Sequence, residues 1–343
     1  MIGVPPANIV GTMERSTDPA ASTAERYRAF AEVEATGLSD CYEEWALGVA
    51  DDATTVALID ELPPEKRQPN LVFSAARFLG APVAGFDEFR EWLSANWREV
   101  ASVCRSRSTQ TNEPGRCASL LPALAAVPGP IALVEVGASA GLCLYPDQYS
   151  YRYQRAEEVR MLHPAAGPST VLLDCELTGS VLVPDRLPEV VWRAGIDLNP
   201  LDVSSAADTA WLEALIWPEH HDRRARLHAA IELAKAQPLD LVVRGDLVEH
   251  IESVVAQAPA GASVVVFHTA VLAYLPADAR QQFADIMNRL PVTWLSNEGS
   301  RVLPGISERL NESARTTSDF VLARDGEPIA FTQPHGRALH WIR

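Results

Sequence analysis

The chain has 343 residues, 47% of them hydrophobic and 22% charged, and a formal net charge of −16. This composition is typical of a globular protein, and the length allows an α/β domain plus a further domain of about 100 residues. The acidic balance argues against a general nucleic-acid binder, which needs a basic surface. No apolar run reaches the ~18 residues of a membrane span, and the N-terminus lacks a basic segment followed by an apolar core. We therefore expect a cytoplasmic protein that binds neither nucleic acid nor membrane.

The five cysteines are scattered and show no C-x-x-C spacing, so the sequence predicts neither a disulfide framework nor a zinc site. His220, His221 and His228 lie near a charged helix start and have no carboxylate or cysteine at a ligand spacing. We expect no metal cofactor. These patterns do not predict an oligomeric state.

Residues 1–22 are rich in Pro, Ala, Ser and Thr, which predicts a disordered or loosely attached tail, and Met13 is an alternative start to Met1. Residues 23–128 predict an N-terminal helical domain. Its clearest helix is Phe86–Arg105, in which apolar residues recur every three or four positions. Shorter helices are predicted over Ala24–Glu34, Tyr42–Ala50 and Thr54–Glu61.

A polar segment, Ser108–Arg116, separates the last two helices of this predicted domain. Such a run is typical of a plain surface loop. It also concentrates side chains that bind polar ligands, which makes a substrate-binding loop the alternative. The candidate residues are Gln110, Asn112, Glu113 and Arg116.

The run IALVEVGASAGL, residues 131–142, is typical of a buried parallel strand that turns sharply into a helix. Its apolar part ends near Glu135, and small residues follow from Gly137 to Gly141. Small residues let the backbone approach a ligand, and a helix N-terminus offers free N–H groups. Two chemistries use this pattern: a nucleotide-cofactor turn and the G-x-S-x-G nucleophile elbow, whose serine would be Ser139.

An insertion follows at about 145–189. It carries tyrosines at alternate positions, Tyr149, Tyr151 and Tyr153, which fall on one side of an extended segment. They form either a packing face or an aromatic wall beside a ligand. Val171–Leu177 and Val181–Val183 are predicted to pair as a hairpin.

Further strands alternate with helices through the rest of the chain. Polar residues follow the predicted strands: Asp197 after 190–196, Asp246 after 239–243, His268 after 263–267 and Glu298 after 292–295. Helices are predicted over 205–215, 222–235, 247–255 and 279–290, and a hairpin over 319–332 on the Asp325-Gly326 turn. This order predicts a Rossmann-like, doubly wound, mostly parallel α/β sheet with a C-terminal antiparallel hairpin, over residues 129–343.

The strand-end motifs VEVGASAGL, GIDLNP, RGDL and FHTAVLAYL resemble, in this order, those of class I S-adenosylmethionine-dependent methyltransferases. With QTNEPGR and YSYRY, the chain more closely resembles an uncharacterised bacterial family, domain of unknown function 2332. The methyltransferase resemblance implies S-adenosylmethionine as cofactor. It implies that Glu135, Gly137 and Gly141 flank the methionine moiety, with Ser139 replacing the middle glycine of the turn. It also implies that Asp197 binds the ribose hydroxyls and that Asp246 lies beside the adenine.

Several of these residues have a second interpretation. Asp246 has the spacing of a helix cap with Glu249. His268 lies where open α/β sheets place ligands and could act as a general base, although a histidine at a strand end is also commonly structural. Glu298 is a candidate substrate ligand or alternative base.

Three functions are compatible with these patterns. The first is methyl transfer to a small molecule held between the helical domain and the sheet. The second is a methyltransferase-like protein that binds a nucleotide or a partner without catalysis. The third is a serine hydrolase that uses Ser139 with Asp246 and His335, but its elbow would follow helices instead of strands and an oxyanion loop.

Overall fold

The computed structural model describes residues 21–180, 183–310 and 319–342 of the chain. Almost all of the predicted tail, and the start of the second arm of the hairpin predicted after residue 170, lie outside these residues. The chain divides into two compact units: Met1–Thr111 with Ala206–Ala225, and Asn112–Ser205 with Arg226–Arg343.

The helices have the following bounds: α1 Thr23–Phe30, α2 Asp40–Asp51, α3 Ala53–Ile59, α4 Pro69–Phe78, α5 Phe86–Ser106, α6 Arg116–Ala125, α7 Ala206–Ala214, α8 His221–Ala236, α9 Leu247–Val255, α10 Ala277–Arg289 and α11 Pro304–Ser307. Helix α6, which the sequence assigns to the N-terminal domain, belongs to the second unit. None of the described helices is long and apolar enough to cross a bilayer.

Aromatic side chains form the core of the first unit. Trp45 stacks on Phe89 with ring centroids 3.8 Å apart, and Phe73 meets both rings edge-on. Trp217, which comes from the later segment of this unit, packs against Phe30. Offset and edge-on ring contacts add to the gain from burying these large surfaces, so they tie the two segments into one core.

One mixed sheet of eleven strands runs through the described part of the second unit. The strands are β1 Ile131–Val136, β2 Ser150–Arg155, β3 Glu158–Leu162, β4 Leu172–Thr178, β5 Val190–Asp197, β6 Leu241–Arg244, β7 Ser263–Thr269, β8 Thr293–Gly299, β9 Phe320–Arg324, β10 Glu327–Thr332 and β11 Ala338–Trp341. Their order across the sheet is β3-β2-β4-β11-β10-β9-β8-β7-β1-β5-β6.

The five predicted parallel strands are confirmed as β6-β5-β1-β7-β8, with β1 at the centre. From β1 the chain order runs outward to β5 and β6 on one side and to β7 and β8 on the other. The carboxyl ends of parallel strands share one edge of a sheet, and ligands in open α/β sheets bind at that edge where the strand order reverses. The reversal here lies between β1 and β7.

The predicted C-terminal hairpin is confirmed as β9 and β10, joined at Asp325 and Gly326, both with positive φ. Strand β11 pairs with β10 and also with β4, so the insertion extends the same sheet. Strands β2 and β11 flank β4 in the sheet, and residues 181–182 of the hairpin arm predicted to pair with β4 lie outside the described residues.

The helix predicted directly after the glycine-rich turn is wrong. Leu142–Leu144 forms a single 3₁₀ turn, and the chain then enters β2. Pro146 explains the difference. It would lie inside a helix that began at Leu142, where a proline lacks the N–H for a hydrogen bond and its ring clashes with the carbonyl four residues earlier.

The register of the sheet separates its strand-end residues into two sets. Glu135 pairs with Phe267, and Thr269 pairs with Asn297, so Glu135, Thr269 and Asn297 share one face. We call this the Arg116 face, because Arg116 bonds to the Thr269 side chain. The opposite face carries the neighbouring residues of the same strands and packs on α9 and α10, through buried side chains that include Val134, Val136, Val266, Ile251, Phe283 and Trp294.

Candidate functional site

The glycine-rich turn after β1 is held in a left-handed conformation. Gly137, Ser139 and Gly141 have φ values of 70°, 52° and 72°. A Cβ atom on Gly137 would lie 2.4 Å from a methyl of Val271, which belongs to the segment after β7. Only glycine meets both conditions at residue 137 without strain, so the turn and the β7 segment fit together closely.

The amide groups of this turn are directed into the protein. Gly137 and Ala138 donate to the carbonyl oxygen of Ile196 at 2.8 and 3.1 Å. Ser139 N–H donates to Asp197 Oδ2 at 2.8 Å, and Asn199 N–H donates to Asp197 Oδ1 at 2.7 Å. The carboxylate to which the methyltransferase resemblance gives a ribose-binding role thus fastens the turn to the end of β5 in this structure.

The polar loop before α6 contributes to the same support. Asn112 Oδ1 accepts the N–H of Leu142 at 2.7 Å. Glu113 is buried, accepts the N–H of Gly115 and forms an ion pair of 3.0 Å with Arg226. The predicted plain surface loop is therefore wrong for residues 112–116, all of which are buried. Gln110 lies in the first unit and is half-buried.

Glu135 is buried on the Arg116 face with 2% of its surface exposed. Its Oε2 atom has no hydrogen-bond partner among the described residues. Burial raises the pKa of Glu135 well above its usual range, the Cys143 thiol raises it further, and the guanidinium of Arg116 partly opposes the shift. Glu135 therefore favours the neutral, protonated form.

Arg116 lies at the start of α6 with 8% of its surface exposed. Its guanidinium donates to the carbonyl oxygens of Pro334 and Thr269, both at 3.0 Å, and to Thr269 Oγ1 at 3.1 Å. Within the described residues, no carboxylate lies within the 4.0 Å of an ion pair with Arg116. The hydrogen bonds of Arg116 within the described residues go to neutral oxygen atoms.

Asn297 completes this group from β8. It is fully buried, and its Oδ1 accepts the hydroxyl of Thr332 at 2.7 Å. Its Nδ2 atom has no partner in the described part of the chain. Arg116, Glu135, Thr269 and Asn297 thus form a buried polar cluster beside the reversal of strand order.

The predicted tyrosine wall is a packing face. Tyr149, Tyr151 and Tyr153 are at most 1% exposed. Each hydroxyl donates to a main-chain carbonyl, of Leu142, Pro146 and Ala118 respectively, at 2.5 to 2.7 Å. The prediction that Tyr149 and Tyr151 contact substrate has no support, because both their rings and their hydroxyls are already engaged.

His268 and Glu298 lie on the opposite face of the sheet from Glu135. His268 is fully buried, its Nδ1 lies 2.7 Å from Glu298 Oε1, and its Nε2 lies 3.0 Å from Trp294 Nε1. The indole can only donate, so Nε2 accepts and Nδ1 carries the proton. Both ring nitrogens therefore have protein partners, which contradicts a free general base at this position.

Glu298 also ties down the segment after β7. Its Oε1 accepts the amides of Val271 and Leu272 at 2.9 and 3.0 Å, in addition to His268. This carboxylate supports the segment that closes on Gly137, and it does not reach the cluster around Arg116.

Asp246 caps α9, as one of its two interpretations predicts. Its Oδ1 accepts the N–H groups of Val248 and Glu249 at 2.7 and 3.4 Å. Asp246 follows β6, whereas His335 follows β10, six strands away in the sheet. At a strand spacing of ~4.8 Å this is roughly 29 Å, so a triad of Ser139, Asp246 and His335 is not assembled.

The sequence did not single out Thr269, Asn297 or Trp294. Asn297 directly precedes Glu298 in the strand end SNEG, residues 296–299. Adjacent residues of a strand face opposite sides of the sheet. The signal that identifies Asn297 is therefore the register of β8 against β7 and of β7 against β1, which places Asn297 on the same face as Glu135.

Comparison with known proteins gives one family. The family described as uncharacterized protein conserved in bacteria (DUF2332) matches residues 24–341. The chain belongs to this family. The DUF2332 match runs from α1 to β11 and so includes residues of both units. No curated protein and no solved structure gives a significant match.

Proposed function

We propose that the second unit binds S-adenosylmethionine and transfers its methyl group to a small molecule. One observation carries the proposal: acidic residues lie within two positions of the carboxyl ends of three neighbouring parallel strands, at the same edge of the sheet. Glu135 lies at β1, Asp197 ends β5 and Asp246 follows β6. The strand order reverses beside the first of them, and such a reversal is the usual site of nucleotide cofactors.

The residues at this edge fit the polar groups of such a cofactor. Each carboxylate oxygen can accept more than one hydrogen bond, so Asp197 can accept ribose hydroxyls in addition to the two amides it already binds. Glu135 Oε2 and Asn297 Nδ2, which have no hydrogen-bond partner among the described residues, suit the amino and carboxylate groups of an amino acid. When bound, S-adenosylmethionine supplies a methyl group activated by its sulfonium.

A second candidate function is ligand binding without methyl transfer. One observation favours it: His268 and Glu298 face away from the cluster, and both ring nitrogens of His268 are occupied. The first function consequently requires an acceptor that already has a free lone pair, since such an atom needs no protein base.

Calorimetric titration with S-adenosylhomocysteine tests the proposal. We expect the unmodified chain to bind and Asp197→Asn to bind at least tenfold more weakly. An asparagine side chain has one acceptor oxygen instead of two, so it is a poorer acceptor for the two main-chain N–H groups and the ribose hydroxyls together. Asp240→Asn is the matched control, since Asp240 also accepts a main-chain N–H but precedes β6 at the other edge. Absence of binding at millimolar ligand would overturn the proposal.

Transfer is then measured with radiolabelled S-adenosylmethionine and a panel of small amines, thiols and carboxylates. Incorporation of label supports the first function. Binding of S-adenosylhomocysteine without incorporation into any acceptor supports the second.

A further inference from the structure

Arg116 holds a buried positive charge that the described residues do not balance. Its side chain donates to two carbonyls and a hydroxyl, all of them neutral. Burying an ionic group without a counter-charge is strongly unfavourable, and arginine does not relieve it by losing its proton. A ligand with a negative charge would remove the imbalance.

The acidic groups near Arg116 do not supply that charge. Glu135 interacts with Arg116 electrostatically but is not in ion-pair contact with it, and burial favours its neutral form. Glu113 is ion-paired with Arg226. The pKa of the Cys143 thiol is raised well above its usual range, by its hydrogen bond to Cys117 and by burial, so this group is also neutral.

A second donor lies next to Arg116. Thr269, which accepts from Arg116, pairs with Asn297 on the adjacent strand, so the two side chains point to the same face. The hydroxyl of Thr332 occupies Asn297 Oδ1 and thereby orients the amide. Asn297 Nδ2 is buried and has no described partner. The Arg116 guanidinium bonds to Thr269, and the Asn297 amide belongs to the residue paired with Thr269, so both donor groups lie beside Thr269 at the carboxyl edge.

We propose that Arg116 and Asn297 form a binding subsite for the carboxylate of a small molecule. Arg116 uses Nε and Nη1 for its bonds to Pro334 and Thr269, so Nη2 remains to donate to one oxygen of a carboxylate, and the Asn297 amide can donate to the other. The position of the subsite follows from the structure alone. The source of the carboxylate rests on the proposed function: it is either the amino-acid end of the cofactor or a group on the methyl acceptor.

Asn297→Asp tests the subsite with little change in shape. The aspartate keeps an acceptor for Thr332 and places a carboxylate beside Arg116, where it competes with a ligand. Asn288→Asp adds the same charge at an exposed position of α10 and is the matched control. Thermal unfolding of both variants shows whether each is folded before binding is measured.

Two pairs of probes distinguish the sources. S-adenosylhomocysteine is compared with its decarboxylated analogue, and benzoate is compared with chloride as a stabiliser against heat. If the cofactor supplies the carboxylate, the unmodified chain prefers S-adenosylhomocysteine over the analogue by about 10- to 100-fold, and Asn297→Asp removes the preference. If the acceptor supplies it, the two nucleosides bind equally, and benzoate stabilises the unmodified chain but not Asn297→Asp.

The failure of each proposal has its own signature. Stabilisation by benzoate without any binding of S-adenosylhomocysteine would leave the subsite standing and overturn the proposed function. Binding of both nucleosides with equal affinity, together with no effect of benzoate, would overturn the subsite and leave the function standing. A preference for carboxylates that survives in Asn297→Asp would also overturn the proposed subsite.

Discussion

Glu135→Gln should change how the stability of the protein depends on pH. Burial raises the pKa of Glu135 well above its usual 4.5. The folded chain therefore keeps this proton at pH values where the unfolded chain has lost it. Since the folded state binds more protons, the free energy of unfolding falls as the pH rises above about 4.5. Glutamine has nearly the same shape and does not titrate, so this contribution disappears in the variant.

The size of the effect follows from linkage. Each pH unit between the unfolded and the folded pKa removes about 1.4 kcal/mol from the free energy of unfolding. Over the two units from pH 5 to pH 7, the unmodified chain should lose up to about 2–3 kcal/mol relative to Glu135→Gln. The free energy of unfolding stops falling at the pH where Glu135 also loses its proton in the folded state.

Urea unfolding at pH 5, 6, 7 and 8, followed by circular dichroism, measures the difference between the two proteins. All other titrating groups are shared, so their contributions cancel to first order. Glu232→Gln serves as control, because it removes one carboxylate from a side chain that is 72% exposed. A difference between Glu135→Gln and the unmodified chain that stays constant with pH would refute the reasoning.

Three further predictions concern the supports of the site. Glu298→Ala removes the acceptor of three donors, two of them buried, and should cost about 3–5 kcal/mol in thermal unfolding, whereas Glu298→Gln keeps an acceptor and should cost less than half of that. Gly137→Ala combines a positive φ with a clash and should cost about 2–4 kcal/mol, of which adding Val271→Ala should recover part in a double-mutant cycle. Asp246→Ala should cost about 1 kcal/mol through loss of the α9 cap, and Asp246→Asn only a few tenths. Equal losses in the two Glu298 variants, no recovery by Val271→Ala, or equal losses in the two Asp246 variants would contradict the respective contact.

The five parallel strands were predictable because buried strands are short apolar runs bounded by turn residues, and each of these runs is local in sequence. The hairpin of β9 and β10 was predictable for the same reason, since Asp325-Gly326 is a turn signal within four residues. The pairing of β4 with β11 was not, because it joins residues about 160 positions apart and no local pattern records it. The absence of a helix after Gly141 has a local cause in Pro146, which the pattern of small and apolar residues around it obscures.

The site shows a similar division. The sequence identified Arg116, Glu135 and Asp197 as polar residues at unusual positions, and these residues do lie at one edge of the sheet. It also chose His268 and Glu298, which lie on the opposite face, and passed over Asn297. Strand side chains alternate, so an error of one position moves a residue to the other side of the sheet.

The sequence by itself determined which segments form strands and which residues stand at their ends, because both depend on local hydrophobic pattern and turn chemistry. Only the tertiary structure decided which face each side chain occupies and what it contacts there. Those outcomes follow from strand register and from contacts between distant segments. Asp197, for example, is predicted from the sequence to bind a ligand, whereas the fold shows it as the acceptor that holds the turn after β1 in place.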